Sequence, residues 1–147
     1  MIAEMLAMRA DIEQLKTVFG NAMKVGAVHE VDASRGYRLK LGEGEEGPFL
    51  SPWYPHPETG KTSVPLKVGQ VVGVVNPTGD PRQGFLVRGG YSDSHASPNE
   101  DMAANVFEDA GVRVTVGGGA LTITAGGSTV VISDAGIRMV GARIDLN

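Results

Sequence analysis

Several stretches of the chain carry the letters of known chemistry. Gly42-Glu-Gly-Glu-Glu-Gly47 fits G-x-G-x-x-G, whose glycines in a dinucleotide site open a helix and aim backbone amides at a pyrophosphate. Here Glu43, Glu45 and Glu46 would repel phosphate, and Pro48-Phe49-Leu50 leads into a strand, so the stretch is an acidic loop. Gly60-Lys61-Thr62 resembles the end of a phosphate-binding P-loop, but the first Gly of that motif would fall at Pro55, and Ser63-Val64-Pro65 does not start a helix. Asp93-Ser94-His95 holds the letters of a hydrolytic triad, which adjacent residues cannot bring into a hydrogen-bonded line. His29, His56 and His95 are the only histidines, and no two are spaced as paired metal ligands. His29 alternates with apolar strand positions and His56 lies between two prolines, so both are expected at the surface. With no Cys there is no thiolate nucleophile, thiolate metal site or disulfide. The residues offer no catalytic constellation, and the expectation is a non-enzymatic chain with no cofactor and no metal.

A binding role has better material. Tyr37, Phe49, Trp53, Tyr54, Phe85 and Tyr91 could form a stacking platform for single-stranded nucleic acid or glycan, with Tyr37, Trp53 and Tyr54 at its centre. The competing assignment puts Tyr37 and Phe85 in a core and Trp53 and Tyr54 at a subunit contact. The net charge of −4 favours the latter. Residues 1–107 carry 10 basic and 13 acidic groups and residues 108–147 carry 3 and 4, so no basic face is set aside for phosphates. No nucleic-acid partner and no small-molecule substrate are expected.

The elements that must position these residues fall into regions. With 147 residues, 41% hydrophobic and 20% charged, the chain is one ordinary domain or a small domain with an appendage. Its longest uncharged stretch, Val114 to Ser133, is too rich in Gly, Ser and Thr to span a bilayer. Residues 1–23 form a helix: Met5, Met8, Ile12, Leu15, Phe19 and Ala22 recur at alternating spacings of 3 and 4, an apolar stripe suited to docking, and Gly26 fits its stop. Charges at Glu4, Arg9, Asp11, Glu13 and Lys16 argue against a signal peptide. Residues 24–92 hold five short strands: Val25–Val31, Tyr37–Leu41, Phe49–Tyr54, Gln70–Val75 and Gly84–Arg88. Asp32–Gly36 makes a hairpin turn between the first two, and a long Pro-rich connection follows the third. That inventory is the one expected of an OB-fold, a small Greek-key barrel.

A polar linker, residues 93–105, precedes a tail of different character, residues 106–147. From Glu108 onward there is no aromatic residue or Pro, only β-branched runs separated by Gly117-Gly-Gly119, Gly126-Gly127, Asp134-Ala-Gly136 and Gly141. The runs recur every 7–9 residues with apolar side chains on alternate positions. A tail of this kind cannot enclose a core alone and needs repetition or other copies to cover its apolar side. An intertwined trimeric β-helix would solve burial and edge exposure together. A second layer on the same monomer is the other solution. The residues expected to line the trimer core are Val112, Val114, Val116, Leu121, Ile123, Val130, Ile132, Ile137, Met139, Ile144 and Leu146.

The order of these parts resembles the baseplate assembly protein V family, the central spike of contractile phage tails. The likeness rests on Lys24-Val-Gly-Ala-Val-His-Glu-Val-Asp32, Gly36-Tyr-Arg-Leu-Lys-Leu41, Pro65-Leu-Lys-Val-Gly-Gln-Val-Val72 and Gly84-Phe-Leu-Val-Arg-Gly-Gly-Tyr-Ser92, followed by a Ser/Pro/Asp linker and a Gly-rich β tail. The spike proteins of type VI secretion share the same plan of OB-fold plus β-helix. The resemblance implies a homotrimer in the virion baseplate, made in the host cytoplasm. It would sit below the tail hub protein and act mechanically on the bacterial envelope during sheath contraction. Many members hold an apex metal through an H-x-H motif. This chain has no His after His95, so no such metal is expected; either a separate tip protein caps the end or the needle is short, and the apolar Ile144 and Leu146 that an uncapped trimer would leave open favour a cap.

Overall fold

A computed structural model describes residues 1–147 and divides the chain into two compact units, Met1–Ala96 and Ser97–Asn147. Together they hold one α-helix and two five-stranded antiparallel sheets. The helix is not long and apolar enough to cross a membrane.

In the first unit, α1 (Ile2–Ala22) runs without a loop into β1 (Met23–Asp32). The expected stop at Gly26 is therefore displaced. Pairing decides it: β1 is held against β4 from Met23↔Val75 to Ala27↔Val71, so the chain is extended before it reaches Gly26. β2 (Gly36–Gly44) and β3 (Gly47–Tyr54) continue as hairpins, and β4 (Val71–Val75) and β5 (Phe85–Arg88) flank β1 on its other side. A short 3-10 turn, Pro81–Gln83, precedes β5. The ladder order is β3-β2-β1-β4-β5, with β3 and β5 as unpaired edges. The hydrogen bonds thus describe an open sheet and not the closed OB-type barrel that the strand inventory suggested.

Irregularities bend this sheet around its core. The register shifts once between β1 and β2, at Val28/Glu30, and twice between β2 and β3, and such bulges increase local twist. One of them is built on a proline. Arg38 pairs with Trp53 and Lys40 with Leu50, so Ser51 and Pro52 both lie opposite Leu39. The buried Ser51 hydroxyl takes over the missing ladder contact, accepting from the Leu39 amide at 2.8 Å and donating to the Pro52 carbonyl at 2.7 Å. Val28, Tyr37, Leu39, Tyr54, Leu66, Val72, Val74 and Leu86 form the core enclosed by these strands.

The β1–β2 turn is locked by Asp32, whose Oδ1 accepts from the Ser34 amide and hydroxyl and from the Arg35 amide at 2.8–2.9 Å. Those hydrogen bonds hold its carboxyl well below the usual carboxylate range. Gly36 closes the turn at φ 93°, and a Cβ there would lie 1.9 Å from the Tyr54 carbonyl oxygen. The position tolerates only glycine.

The second unit corrects the expectation for the tail. β6 (Asn105–Asp109), β7 (Val112–Gly117), β8 (Ala120–Ala125), β9 (Ser128–Ser133) and β10 (Gly136–Val140) pair strictly with their sequence neighbours, in the order β10-β9-β8-β7-β6. This is an antiparallel meander within one chain, and no intertwined trimeric β-helix is present. The turns are the physical reason. Ala110-Gly111 and Gly118-Gly119 have positive φ at both positions, the geometry of two-residue hairpin loops whose twist matches the flanking strands. At those two turns the run folds back on the preceding one, and the ladders continue the same hairpin pairing through β9 and β10. The repeat of 7–9 residues is strand plus hairpin turn.

Candidate functional site

The meander's register sorts its side chains into two unlike faces. Phe107, Val114, Ile123, Val130 and Met139 stand opposite one another across all five strands. Side chains two residues away share the face, so Val112, Val116, Leu121, Ile132 and Ile137 join them. Nine of the eleven residues expected to line a trimer core are thus brought to one side of one sheet. The other two, Ile144 and Leu146, follow the last strand in irregular chain and are exposed, so the register does not assign them to this face. Phe107 was missed because β6 is mostly polar, and a Val-Phe pair between Asn105 and Glu108 gives little alternation to detect.

The opposite face carries Val106, Glu108, Arg113, Thr115, Thr122, Thr124, Thr129, Val131, Arg138 and Val140, and the chain before β6 lies over its β6–β7 end. Arg113 donates to the Pro98 carbonyl at 3.0 Å and pairs with Glu108. Gly117 has no side chain where Ala104 comes in, since a Cβ there would be 2.9 Å from that of Ala104. The segment before β6 therefore lies over polar and small residues, and the apolar face is left bare. No residue of the second unit is buried, and Phe107, Val116, Ile123, Ile132, Ile137 and Met139 are all exposed. An apolar surface of this extent marks an interaction site.

α1 repeats the pattern. No residue of it is buried, and along the expected docking face Met5, Met8, Ile12, Leu15 and Phe19 are exposed, Phe19 to 83%, with Ala22 half-buried at the junction with β1. Only its C-terminal end is fixed: the Asn76 side-chain amide donates to the Asn21 carbonyl at 2.7 Å, and the Asn76 backbone amide to the Ala22 carbonyl at 2.8 Å.

The aromatic platform does not form. Tyr37 is 3% and Tyr54 1% exposed, both within the core of the first unit. Burial pushes the Tyr54 hydroxyl above its ordinary value, with Asp80 adding to the shift. Trp53 remains half-buried with the Arg35 guanidinium 4.1 Å above its ring, a cation–π contact that occupies the stacking surface. Phe49, Phe85 and Tyr91 are exposed.

The motif fragments are structural. Gly42 and Gly44 belong to β2 and Gly47 opens β3, with Glu45-Glu46 as the hairpin turn. In the Gly60-Lys61-Thr62 stretch, the Thr62 hydroxyl donates to Glu58 at 2.6 Å. His29 is exposed at the β1 bulge. Ser94 Oγ does meet His95 Nδ1 at 3.1 Å, closer than adjacency suggested, but Asp93 makes no hydrogen bond to that ring and no triad results.

His56 departs furthest from expectation, being half-buried and not free in solvent. The Leu66 amide donates to the Tyr37 hydroxyl at 3.0 Å, and the same hydroxyl is hydrogen-bonded with His56 Nδ1 at 2.6 Å. His56 Nε2 faces Glu58 Oε1 at 3.8 Å. Glu58 lies below its ordinary value chiefly through the Thr62 hydroxyl and also through Arg88, which in turn donates to the Val64 carbonyl at 2.6 Å. These contacts pin the Pro-rich connection to the sheet. Beside them lies a cleft of about 470 Å³ between the β1–β2 turn and that connection, with no cluster of acids and histidines fit to hold a metal. The nearest charged pair, Asp32 and Arg35, is already engaged with itself.

A scan against models of protein families finds none that matches this chain, and a search of curated proteins finds no matching sequence.

Proposed function

We propose that this chain is a structural, non-enzymatic component of a contractile phage tail baseplate: the central spike protein, assembled as a homotrimer. One observation carries the reading. The second unit presents a five-stranded sheet whose apolar face no element of that unit covers, while the segment before β6 lies over the β6–β7 end of the other face. A sheet built in that sense is a wall awaiting other walls, and copies of the same chain supply them at matching height and chemistry. Three such faces turned toward a common axis would close a dry, hydrogen-bonded shaft with no reactive group in it.

The rest of the reading follows from the sequence resemblance. The first unit and α1 would sit toward the tail hub protein, a tip protein would cover Ile144 and Leu146, and sheath contraction would drive the assembly into the bacterial envelope. Burial of Tyr37 and Tyr54 weighs against a module that stacks nucleic acid or glycan.

Immunogold labelling tests the assignment. Antibodies raised against the purified chain should mark the distal end of contractile tails produced by the strain that encodes it, and particles lacking the chain should attach without penetrating. Labelling elsewhere on the particle, or none, would overturn it.

A further inference from the structure

We infer that α1 is a self-association helix, packing in parallel and in register against α1 of other copies of this chain. The inference rests on the proposed assembly only for the number of helices. The pairing itself stands on the helix's own charge pattern.

With the apolar stripe taken as the seam, Met5, Ile12 and Phe19 occupy one set of heptad positions (a) and Met8, Leu15 and Ala22 the other (d). The flanking positions then sort by sign without exception among the charged residues: Arg9 and Lys16 follow the d residues, and Glu4 and Asp11 precede the a residues. In parallel, in-register helices the residue before a meets the residue after d five positions further along its neighbour. Glu4 therefore faces Arg9 of the next copy, and Asp11 faces Lys16. Reversing one helix would set acid against acid and base against base. A foreign partner would require no such self-complementarity, so the pattern specifies a second copy of the same helix.

The structure leaves the seam free for it. Met5, Met8, Ile12, Leu15 and Phe19 are exposed, and the only ion pair along the helix is Lys16–Glu13 at 3.5 Å, between two solvent-exposed side chains, which is weak enough to yield to Asp11 of a neighbour. Anchoring is confined to the C-terminal end, where Asn76 holds the Asn21 and Ala22 carbonyls. The helix spans roughly 30 Å at 1.5 Å per residue, enough for three heptads.

Because the chain has no Cys, a single engineered thiol reports the register. The full-length Leu15→Cys variant should oxidise to a disulfide-linked dimer, since equivalent d positions face each other only in the parallel register. The Gln14→Cys variant, pointing away from the seam, should not. Adding Glu4→Lys and Asp11→Lys to Leu15→Cys should cut the cross-linking rate at least tenfold at low salt, and further adding Arg9→Glu and Lys16→Glu should restore it. Light scattering on the same samples separates two failures. No cross-link in a chain that keeps its oligomeric mass would overturn helix pairing alone, and no cross-link in a monomeric chain would overturn the assembly as well. A cross-link indifferent to the charge swaps would overturn the register.

Discussion

Replacing Ile123 by Asp places a carboxylate in the middle of the bare face, between Val114 on one neighbouring strand and Val130 on the other. Neither of those paired residues can meet it with a positive charge. Ile123 keeps 37% of its surface exposed in the single chain. Covering that remnant contributes about 1 kcal/mol per copy, a third of the roughly 3 kcal/mol for full burial. A buried polar group without a partner costs a further ~1–3 kcal/mol even after relaxation. Three copies together lose about 6 kcal/mol or more, which lowers the association constant by about four orders of magnitude. The single chain should fold unchanged, because the site is solvated there. Equilibrium sedimentation across a micromolar range should thus find wild-type oligomer and mutant monomer with the same far-UV circular dichroism. Assembly would raise the introduced carboxyl's pKa, so association should strengthen as pH falls toward ~4 and weaken as it rises. Thr124→Asp, one residue away but on the other face and opposite Arg113, is the control and should keep the wild-type mass. Equal effects from the two substitutions, or none from either, would refute the assignment of faces.

Other consequences concern the first unit. Gly36→Ala combines a positive φ with a Cβ driven into the Tyr54 carbonyl, and urea unfolding should show a loss of about 3 kcal/mol or more. Asp32, Glu58 and Asp80 all lie below their ordinary values in the fold, so the stability they supply is present above about pH 4 and is lost as pH falls through their folded values. Asp32→Asn should reduce stability at pH 7 and flatten its acid dependence, as read by thermal unfolding at pH 7 and pH 3. Asn76→Ala removes the donor to Asn21 at the helix end and should cost about 1 kcal/mol, with an unchanged urea m-value.

The sequence was most legible where local patterning decides the structure. Local patterning located the strands around Val25–Val31, Tyr37–Leu41, Phe49–Tyr54, Gln70–Val75 and Gly84–Arg88, and alternation separated the apolar positions Val112 to Met139 from their polar neighbours. What each strand pairs with lies outside that signal. Alternation of Val114, Ile123 and Val130 is the same whether a strand meets its own hairpin partner or another chain. The positive φ angles at Ala110-Gly111 and Gly118-Gly119 decide the matter, and glycine-rich punctuation alone does not reveal them. Five strands with a long third connection likewise suited a closed barrel, yet β3 and β5 do not pair. His56 was misplaced for a related reason. Its contacts with Tyr37 and Glu58 depend on the Pro-rich connection folding back over a strand 19 residues away in sequence, which no local pattern encodes.

The molar mass of the full chain in solution, by size-exclusion chromatography with light scattering, beside the same chain ending at Ala96, tests the central claim most directly. The account predicts a full-length mass near three times 15.4 kDa that falls when Ser97–Asn147 is removed. A full-length chain that stays monomeric at 15.4 kDa at micromolar concentration, with its apolar sheet face still open to solvent, would contradict it.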